Sequence, residues 1–515
     1  MSQKQFFCGL LFFLSITALS QPFNLDVTYG ANGVNNTTVG LETSLKLSDN
    51  KILVPYELNP SYPYSSPAIG IRKFNVDGTL DTTFGTNGVG LYTPTSFADR
   101  FEIYGVKVQP DGKIVIVGQT HTVGGFAYYY NFFIFRFNSN GTTDTTFGTN
   151  GLVKYSINTF NTLRERFLDV AIDSSNKILA VGYTTADANS KTDAVVMRFD
   201  SNGILDTSFA SNGVLKLNIA DSDYFSQIYL LNDSKILLVG ATTITSTNQD
   251  FLLAKIDNLG VFDSTFGTNG MATIDFNSGV DAPSKLFFKP NDKIMIAGSS
   301  TINTLSVRAA FAQINSDGSL DTSFSTDGKN TTSIAVPNHY NIGAPFIDLL
   351  PDNKYIITST TKRNDNSTNN YDYAVARLNE NTTLDTSFSS NGVYVNVITA
   401  TNEYARNVYV QSDGKILVLV NGTIYRYLGN AVLSNQIFKN DFSKIMVFPN
   451  PFKDHIQIQA DESLNKIEIF DLQGKKVKEQ HNNLKQLNLS LLEKGIYFLK
   501  IITEHQIVFK KIVKN

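Results

Sequence analysis

The chain has 515 residues, 42% of them hydrophobic, and a formal net charge of -3. That length supports a large core and more than one domain. It carries no basic excess of the kind that marks nucleic-acid binding, and its single cysteine, Cys8, excludes a disulfide framework.

The first 20 residues read as an export signal. Lys4 precedes an apolar run from Phe6 to Leu19 that is too short to span a bilayer comfortably. Ala18-Leu19-Ser20 places cleavage before Gln21, so residues 1–20 are expected to be removed. Cys8 lies inside the run, where a lipoprotein cysteine would instead close it. The mature chain then holds no thiol. No later segment is apolar enough for a membrane helix.

A nine-residue phrase follows seven times: LDVTYGANG from Leu25, LDTTFGTNG from Leu80, TDTTFGTNG from Thr143, LDTSFASNG from Leu205, FDSTFGTNG from Phe262, LDTSFSTDG from Leu320 and LDTSFSSNG from Leu384. Its aspartates are Asp26, Asp81, Asp144, Asp206, Asp263, Asp321 and Asp385, spaced by 55 to 64 residues. A fixed period of this size means stacked supersecondary units. Each period holds a short apolar strand such as Gly213–Leu217, then a hairpin around a turn such as Pro110-Asp111-Gly112. A further strand such as Ala194–Phe199 completes it. Alternation of period two, broken by Asn-Gly and Asp-Gly, predicts strands and tight turns. Four antiparallel strands repeated seven times predict a seven-bladed β-propeller over residues 21–430, because radial closure protects sheet edges. A β-solenoid is the alternative, but its coils are shorter.

LDTTFGTNG with QPDGKIVIVG and FIFRFNSNG closely resembles the bacterial delta-60 repeat, a propeller family of unassigned function, over about residues 23–430. The resemblance implies the propeller and brings no activity.

The repeated aspartates are expected to fix turns by accepting backbone N–H bonds. Phe84, Phe147, Phe209, Phe266, Phe324 and Phe388, with Tyr29, are expected to pack blade against blade. A basic residue recurs in the last strand of each period (Lys73, Arg136, Arg198, Lys255, Arg377, Arg426), with Gln313 as the exception, so pairing with the aspartate is not obligatory. The lysines after each hairpin turn, Lys51, Lys113, Lys177, Lys235, Lys293, Lys354 and Lys415, read as solvated turn residues. The Asn75–Asp81 turn loosely resembles a calcium loop. Leu259 at the matching place in another repeat argues against one, so no metal and no cofactor is expected. His121 and His339, the two histidines of the repeat region, read as surface-loop residues.

Strand alternation puts the hairpin turns and the phrase on one face and the variable connections on the other. Tyr62, Tyr64, Phe126, Tyr128, Tyr129 and Tyr130 in those connections are the candidate ligand-binding residues, since exposed Tyr beside Asn and Ser suits recognition. Packing within the blade is the equal alternative for Tyr128–Tyr130 and the favoured one for Tyr371 and Tyr373.

Composition shifts near residue 440. Residues 439–515 hold 13 Lys/Arg against 9 Asp/Glu, a balance of +4. A linker over 431–444 leads into short strands, Ile456–Ile458, Ile467–Phe470, Leu487–Leu489, Ile496–Ile501 and Ile507–Ile512, which predict a small Ig-like β-sandwich over 445–515. VFPNPFKDHI, IEIFDLQGKKV, LEKGIYFLKI and KKIVKN closely resemble the type A C-terminal sorting domain of the Bacteroidota type IX secretion system. The resemblance carries Pro449, Asn450, Gly474, Gly495, Tyr497 and Lys511 as sorting-signal positions. It implies the translocon and a sortase-like peptidase as partners, and a protein exported through the periplasm, then secreted or attached to the outer-membrane surface.

Together these readings give an all-β exported protein whose expected use is ligand binding or adhesion, with a surface glycan or protein as ligand. A glycan-active enzyme using carboxylates on the loop-rich face and a structural spacer are the alternatives. No catalytic residues stand out, and near-equal repeats argue against an active site, which breaks symmetry in one or two repeats.

Overall fold

The protein is described by a computed structural model over residues 23–429 and 446–515. Residues 38–42, 59–66, 95–98, 125–126, 159–163, 186–190, 277, 304–305, 366–369, 390, 398–400, 461–462, 472–474 and 504–506 fall outside the description. The expected signal at 1–20 and the linker at 431–444 also lie outside it. The described residues form two compact units that divide at residue 431. They are all-β, without a helix, so none of them forms a helix long and apolar enough to cross a membrane.

The larger unit repeats one antiparallel sheet. In the second sheet Asp99–Val108, Ile114–Gly124, Ala127–Phe137 and Leu152–Tyr155 pair in sequence order. The third runs from Glu165–Ile172 to Val214–Leu217, the fourth from Ser222–Leu230 to Met271–Ile274, and the fifth from Asp281–Phe288 to Lys329–Thr332. The first runs from Leu45–Lys46 to Val89–Tyr92, and the sixth carries an additional short strand, His339–Asn341. The last sheet is composite. Ala405–Val410, Ile416–Val420 and Thr423–Tyr427 are joined on their outer side by Val34–Asn36 from the start of the chain, with Val34 opposite Tyr425.

Middle strands such as Ile416–Val420 are buried on both faces. The reason is that each sheet is covered by a neighbour on either side. Val115, Val117, Phe132 and Phe147 share a core cluster with Phe167, Ile178, Val195 and Phe199 of the next sheet. Six further clusters join the remaining consecutive pairs. One of them packs Tyr29, Leu417 and Ile424 of the composite sheet against Ile52, Val54 and Phe74 of the first. The phrase aromatics sit in these seams. Phe147 is fully buried, and a Cβ on Gly203 of the following sheet would stand 2.8 Å from its ring. That glycine has φ +84, so the close approach and the backbone both require Gly.

The smaller unit has a sheet of Met446–Phe448, His455–Gln459 and Gln486–Asn488. Its second sheet holds Leu464–Phe470, Lys476–Gln480, Gly495–Thr503 and Ile507–Lys514. Alternating residues of both, among them Ile456, Ile458, Ile467, Ile469, Leu487 and Leu499, build one core.

Candidate functional site

On the face of the hairpin turns, one aspartate per sheet is gripped by a turn hydroxyl and by the hairpin lysine. Asp144 Oδ1 accepts the Thr146 amide at 3.2 Å and the Thr146 hydroxyl at 2.6 Å. Its Oδ2 receives Lys113 Nζ at 2.9 Å and Arg136 Nε at 2.7 Å. The Arg136 guanidinium lies 4.3 Å over the Phe147 ring, and its Nη1 donates to the Ser201 carbonyl of the next sheet at 2.5 Å. Burial pushes the Asp144 carboxyl up, but the Thr146 hydroxyl, Lys113 and Arg136 together hold it well below the usual range.

The hairpin lysine makes this contact in every sheet: Lys51 to Asp81 (2.9 Å), Lys177 to Asp206 (2.7 Å), Lys235 to Asp263 (2.5 Å), Lys293 to Asp321 (2.5 Å), Lys354 to Asp385 (2.6 Å) and Lys415 to Asp26 (3.2 Å). These lysines are therefore not the solvated residues expected from sequence. The turn and the phrase share a face, and a four-carbon stem spans the distance between them. The second donor varies. Arg198, Arg377 and Arg426 stand 2.7 to 2.9 Å from their aspartates. Lys73 and Lys255 stand at 3.7 Å, and Gln313 donates at 2.6 Å. In the turn resembling a calcium loop, Asp77 Oδ1 is taken by the Thr79 amide and hydroxyl at 2.9 and 2.7 Å.

The variable face breaks this regularity. Between the second and third sheets, Glu102 Oε2 accepts the Tyr104 hydroxyl at 2.6 Å and Arg166 Nη2 at 3.1 Å. Arg166 Nε also reaches Gln119 Oε1 at 3.4 Å, and its guanidinium stands 4.5 Å over Tyr104 and 5.7 Å over Tyr183. His121 Nδ1 lies 3.7 Å from Glu102 Oε1 and its ring 5.6 Å from that of Tyr130, over which Arg164 is placed at 5.8 Å. Burial pushes the His121 imidazole below its ordinary value. Glu102 remains 34% exposed on its side chain.

Register shows that four other described sheets lack this cluster. Glu102 immediately precedes the residue paired with Gly118 at a strand bulge. At the same bulge the other sheets place Arg166, Tyr224, Ala282 and Tyr404. The residue before that is Phe101 here, but it is an acid in the others: Glu165, Asp223, Asp281 and Glu403. Sequence reading missed these acids. Glu165 Oε1 accepts the Ile157 and Asn158 amides, and Asp223 Oδ2 those of Ile219 and Ala220, so they hold the preceding connection. Burial raises the Glu165 carboxyl to about 7. Aligning the repeats on the hairpin rather than on the phrase would have found them.

Of the candidate ligand residues, Tyr130 joins this cluster. Tyr62, Tyr64 and Phe126 lie outside the described residues. Tyr128 and Tyr129 stand on the strand Ala127–Phe137, and their side chains fall outside the description. Tyr373 is fully buried, its hydroxyl 2.6 Å from that of Tyr427, and the Tyr371 ring stands 5.2 Å from that of Tyr404, tilted by 31°. Neither histidine is a loop residue. His121 stands within Ile114–Gly124, and His339 opens His339–Asn341 with Nε2 3.5 Å from the buried Asp372. Both strands run further onto the variable face than the alternation predicts.

Residues 446–515 match the family described as "Secretion system C-terminal sorting domain". Residues 61–84, 109–147, 174–209, 231–266, 289–324 and 350–388 match "Domain of unknown function (DUF5122) beta-propeller". The chain carries DUF5122 β-propeller repeats and a type IX sorting domain. The protein is thus exported, and is secreted or attached at the outer-membrane surface. No curated protein matches it. Similar solved structures include Drosophila Semaphorin 1a, extracellular domains 1-2, at 10% identity and TM-score 0.39, covering 78% of this chain and 88% of that one. An ulvan lyase of a new polysaccharide lyase family is similar at 11% identity and TM-score 0.40, with 78% and 95% covered. The alpha-L-arabinofuranosidase arb93a from Fusarium graminearum is similar at 11% identity and TM-score 0.36, with 65% and 98% covered.

Within the sorting domain, Asn450 ties the start to the end. Its Nδ2 donates to the Lys511 carbonyl and its Oδ1 accepts the Val513 amide, both at 2.8 Å. Pro449 precedes it. Tyr497 is buried and donates to the Glu493 carbonyl at 2.9 Å, just beyond Gly495. Lys511 is exposed, and Gly474 lies outside the described residues.

Proposed function

We propose that this protein is a surface or secreted binding module, a seven-bladed propeller delivered by its sorting domain, and that it contacts a glycan through the cluster around Glu102 and Arg166. The single observation that carries this reading is that the cluster breaks the repeat. Aromatic faces at Tyr104, Tyr130 and Tyr183 stand beside Arg164, Arg166, Gln119 and Glu102, at a position where other sheets differ. Aromatic rings pack on sugar C–H faces, while Arg, Gln and carboxylate groups bond hydroxyls.

The rest of the reading follows the same architecture. Seven core seams, one joining the composite sheet to the first, support a ring of seven blades closed by Val34–Asn36. The two sheets around one core support an Ig-like sandwich for 445–515, joined by a linker over 431–444 to a propeller over 21–430, after a signal at 1–20. The repeated aspartates and aromatics are structural in this reading, as the recurrence of the same contacts in every sheet supports. A sortase-like peptidase would act on the exported tail.

The enzyme alternative needs an acid pair open to a pocket. One close-set group, Asp250, Asp275 and Asp281, lies on the variable face. Asp281 in it is fully buried and Asp250 nearly so. Cavities of about 680 and 480 Å³ lie elsewhere, beside His455 in the tail and beside Lys255 and Phe288 on the turn face. These observations favour binding over catalysis. The test is a glycan array probed with the mature protein and with Arg166→Ala. Retention on defined glycans that the variant loses supports the reading; no retention, or equal retention, refutes it.

A further inference from the structure

Asp250 stands on Asn248–Ile256, Asp275 follows Met271–Ile274, and Asp281 opens Asp281–Phe288, so three separate elements converge where the fourth sheet meets the fifth. One carboxylate oxygen from each lies within 4.8 Å of the others. Asp281 is fully buried. Its Oδ2 accepts the Phe276 amide at 2.7 Å, and its Oδ1 is buried with no hydrogen bond of ordinary geometry, since the neighbouring Ser300 hydroxyl donates at 3.1 Å to the Phe276 carbonyl.

The preceding sheet junction shows how the same position is normally neutralised. Asp193 is the counterpart of Asp250 there, and Lys216 Nζ stands 2.7 Å from it while Asn218 Nδ2 donates to it at 2.5 Å. Leu217 pairs with Ala194 as Ile274 pairs with Phe251, so Thr273 replaces the lysine and Asp275 replaces the amide. A cation and a donor have become a hydroxyl and a third acid. Among the described residues no Lys, Arg or His stands within 4 Å of any of the three carboxylates. Lys329, the nearest ammonium with a contact here, donates to the Asp275 main-chain carbonyl at 2.8 Å. Burial, with the neighbouring acids, raises the Asp250 and Asp281 carboxyls, Asp281 to about 6. The Asn248 carboxamide nitrogen donates to Asp250 Oδ1 and to the Gly279 carbonyl, both at 3.2 Å, a neutral donor that supplies no countercharge.

We propose that Asp250, Asp275 and Asp281 bind a hard divalent cation, calcium in the extracellular setting, which holds the 275–280 connection against the fourth sheet. Three carboxylates, with neither His nor Cys among them, suit calcium over zinc. Three uncompensated acids are stable together when the charge is supplied by the ion instead of by Lys216's equivalent.

The test uses the mature chain, stripped with chelator and dialysed. Its melting midpoint is followed as calcium chloride is added, with magnesium and sodium chlorides as controls, and calorimetry counts bound calcium. Calcium is expected to raise the midpoint by several degrees, saturably and with one ion bound. Asp250→Asn should remove both effects. A second variant, Thr273→Lys with Asp275→Asn, copies the arrangement of the third sheet. It is expected to fold, to melt without calcium near the calcium-loaded protein, and to ignore added calcium. A wild-type midpoint that calcium leaves unchanged overturns the proposal, as does an undiminished shift in the double variant.

Discussion

Asp144 and Asp321 occupy the same position in different sheets, but they neutralise different partners. Removing Asp144 as Asp144→Ala strands Arg136, whose side chain is 5% exposed. Arg136 keeps neutral acceptors, the Ser201 carbonyl at 2.5 Å and Gln109 Oε1 at 3.2 Å, but loses the one carboxylate that pairs with it among the described residues. Breaking a buried pair from one side costs about 3–5 kcal/mol, because the surviving charge stays desolvated. Asp321→Ala strands the neutral Gln313 and Lys293, and Lys293 is 30% exposed and can rehydrate. Loss of these hydrogen bonds should cost about 1–3 kcal/mol. Arg136→Gln copies the fifth sheet, so Asp144→Ala made in that background should fall to the cost of Asp321→Ala. Urea unfolding of the single and double variants measures each cost. Equal losses for Asp144→Ala and Asp321→Ala, with or without Arg136, would refute the argument that a buried guanidinium sets the difference.

Four further outcomes follow. Phe147→Ala should cost about 3–5 kcal/mol in the same unfolding assay, since the fully buried ring fills the seam against Gly203. Glu165, with its folded value raised to about 7, opposes folding above that pH and stops doing so below about 4.5. Glu165→Gln should therefore stabilise the protein at pH 8 by up to about 3 kcal/mol and leave it nearly unchanged at pH 4, as paired melts would show. The Thr83 hydroxyl and Lys51 hold Asp81 at about 2, so that stabilisation is complete above about pH 4 and is lost as pH falls through 2, visible in acid titrations of the folded signal. Deleting residues 445–515 should leave a folded propeller that cell fractionation finds in the periplasm; normal surface delivery would contradict the sorting role.

The regular parts of this protein were legible because the turns repeat their chemistry. Asn-Gly and Asp-Gly located the strand ends, and alternation put the hairpin turn and the phrase on one face. That same geometry implied that Lys113 could reach Asp144, although they are 31 residues apart. Spacing alone gives no distance between two loops, so Lys113 read as solvated. The site was less legible. Tyr130 was visible as an aromatic in a variable connection, but Glu102, Tyr104 and Arg166 lie inside strands and look like the polar half of an alternating pattern. What sets them apart is their register relative to the bulge, which only the paired strands reveal. The acids at 250, 275 and 281 come from three elements, so no single stretch of sequence contains the group.

The proposed glycan contact lies in the cluster between the second and third sheets. The direct measurement is calorimetric affinity of the mature protein for the strongest glycan found on the array, compared with Arg166→Ala, Tyr104→Phe and Arg308→Ala, the last on the fifth sheet. Arg166→Ala should lower the affinity at least tenfold, about 1.4 kcal/mol. Tyr104→Phe should lose less and Arg308→Ala should bind as the wild type does, with all variants retaining the wild-type fold by circular dichroism. Unchanged affinity in the folded Arg166 and Tyr104 variants would rule out binding through this cluster.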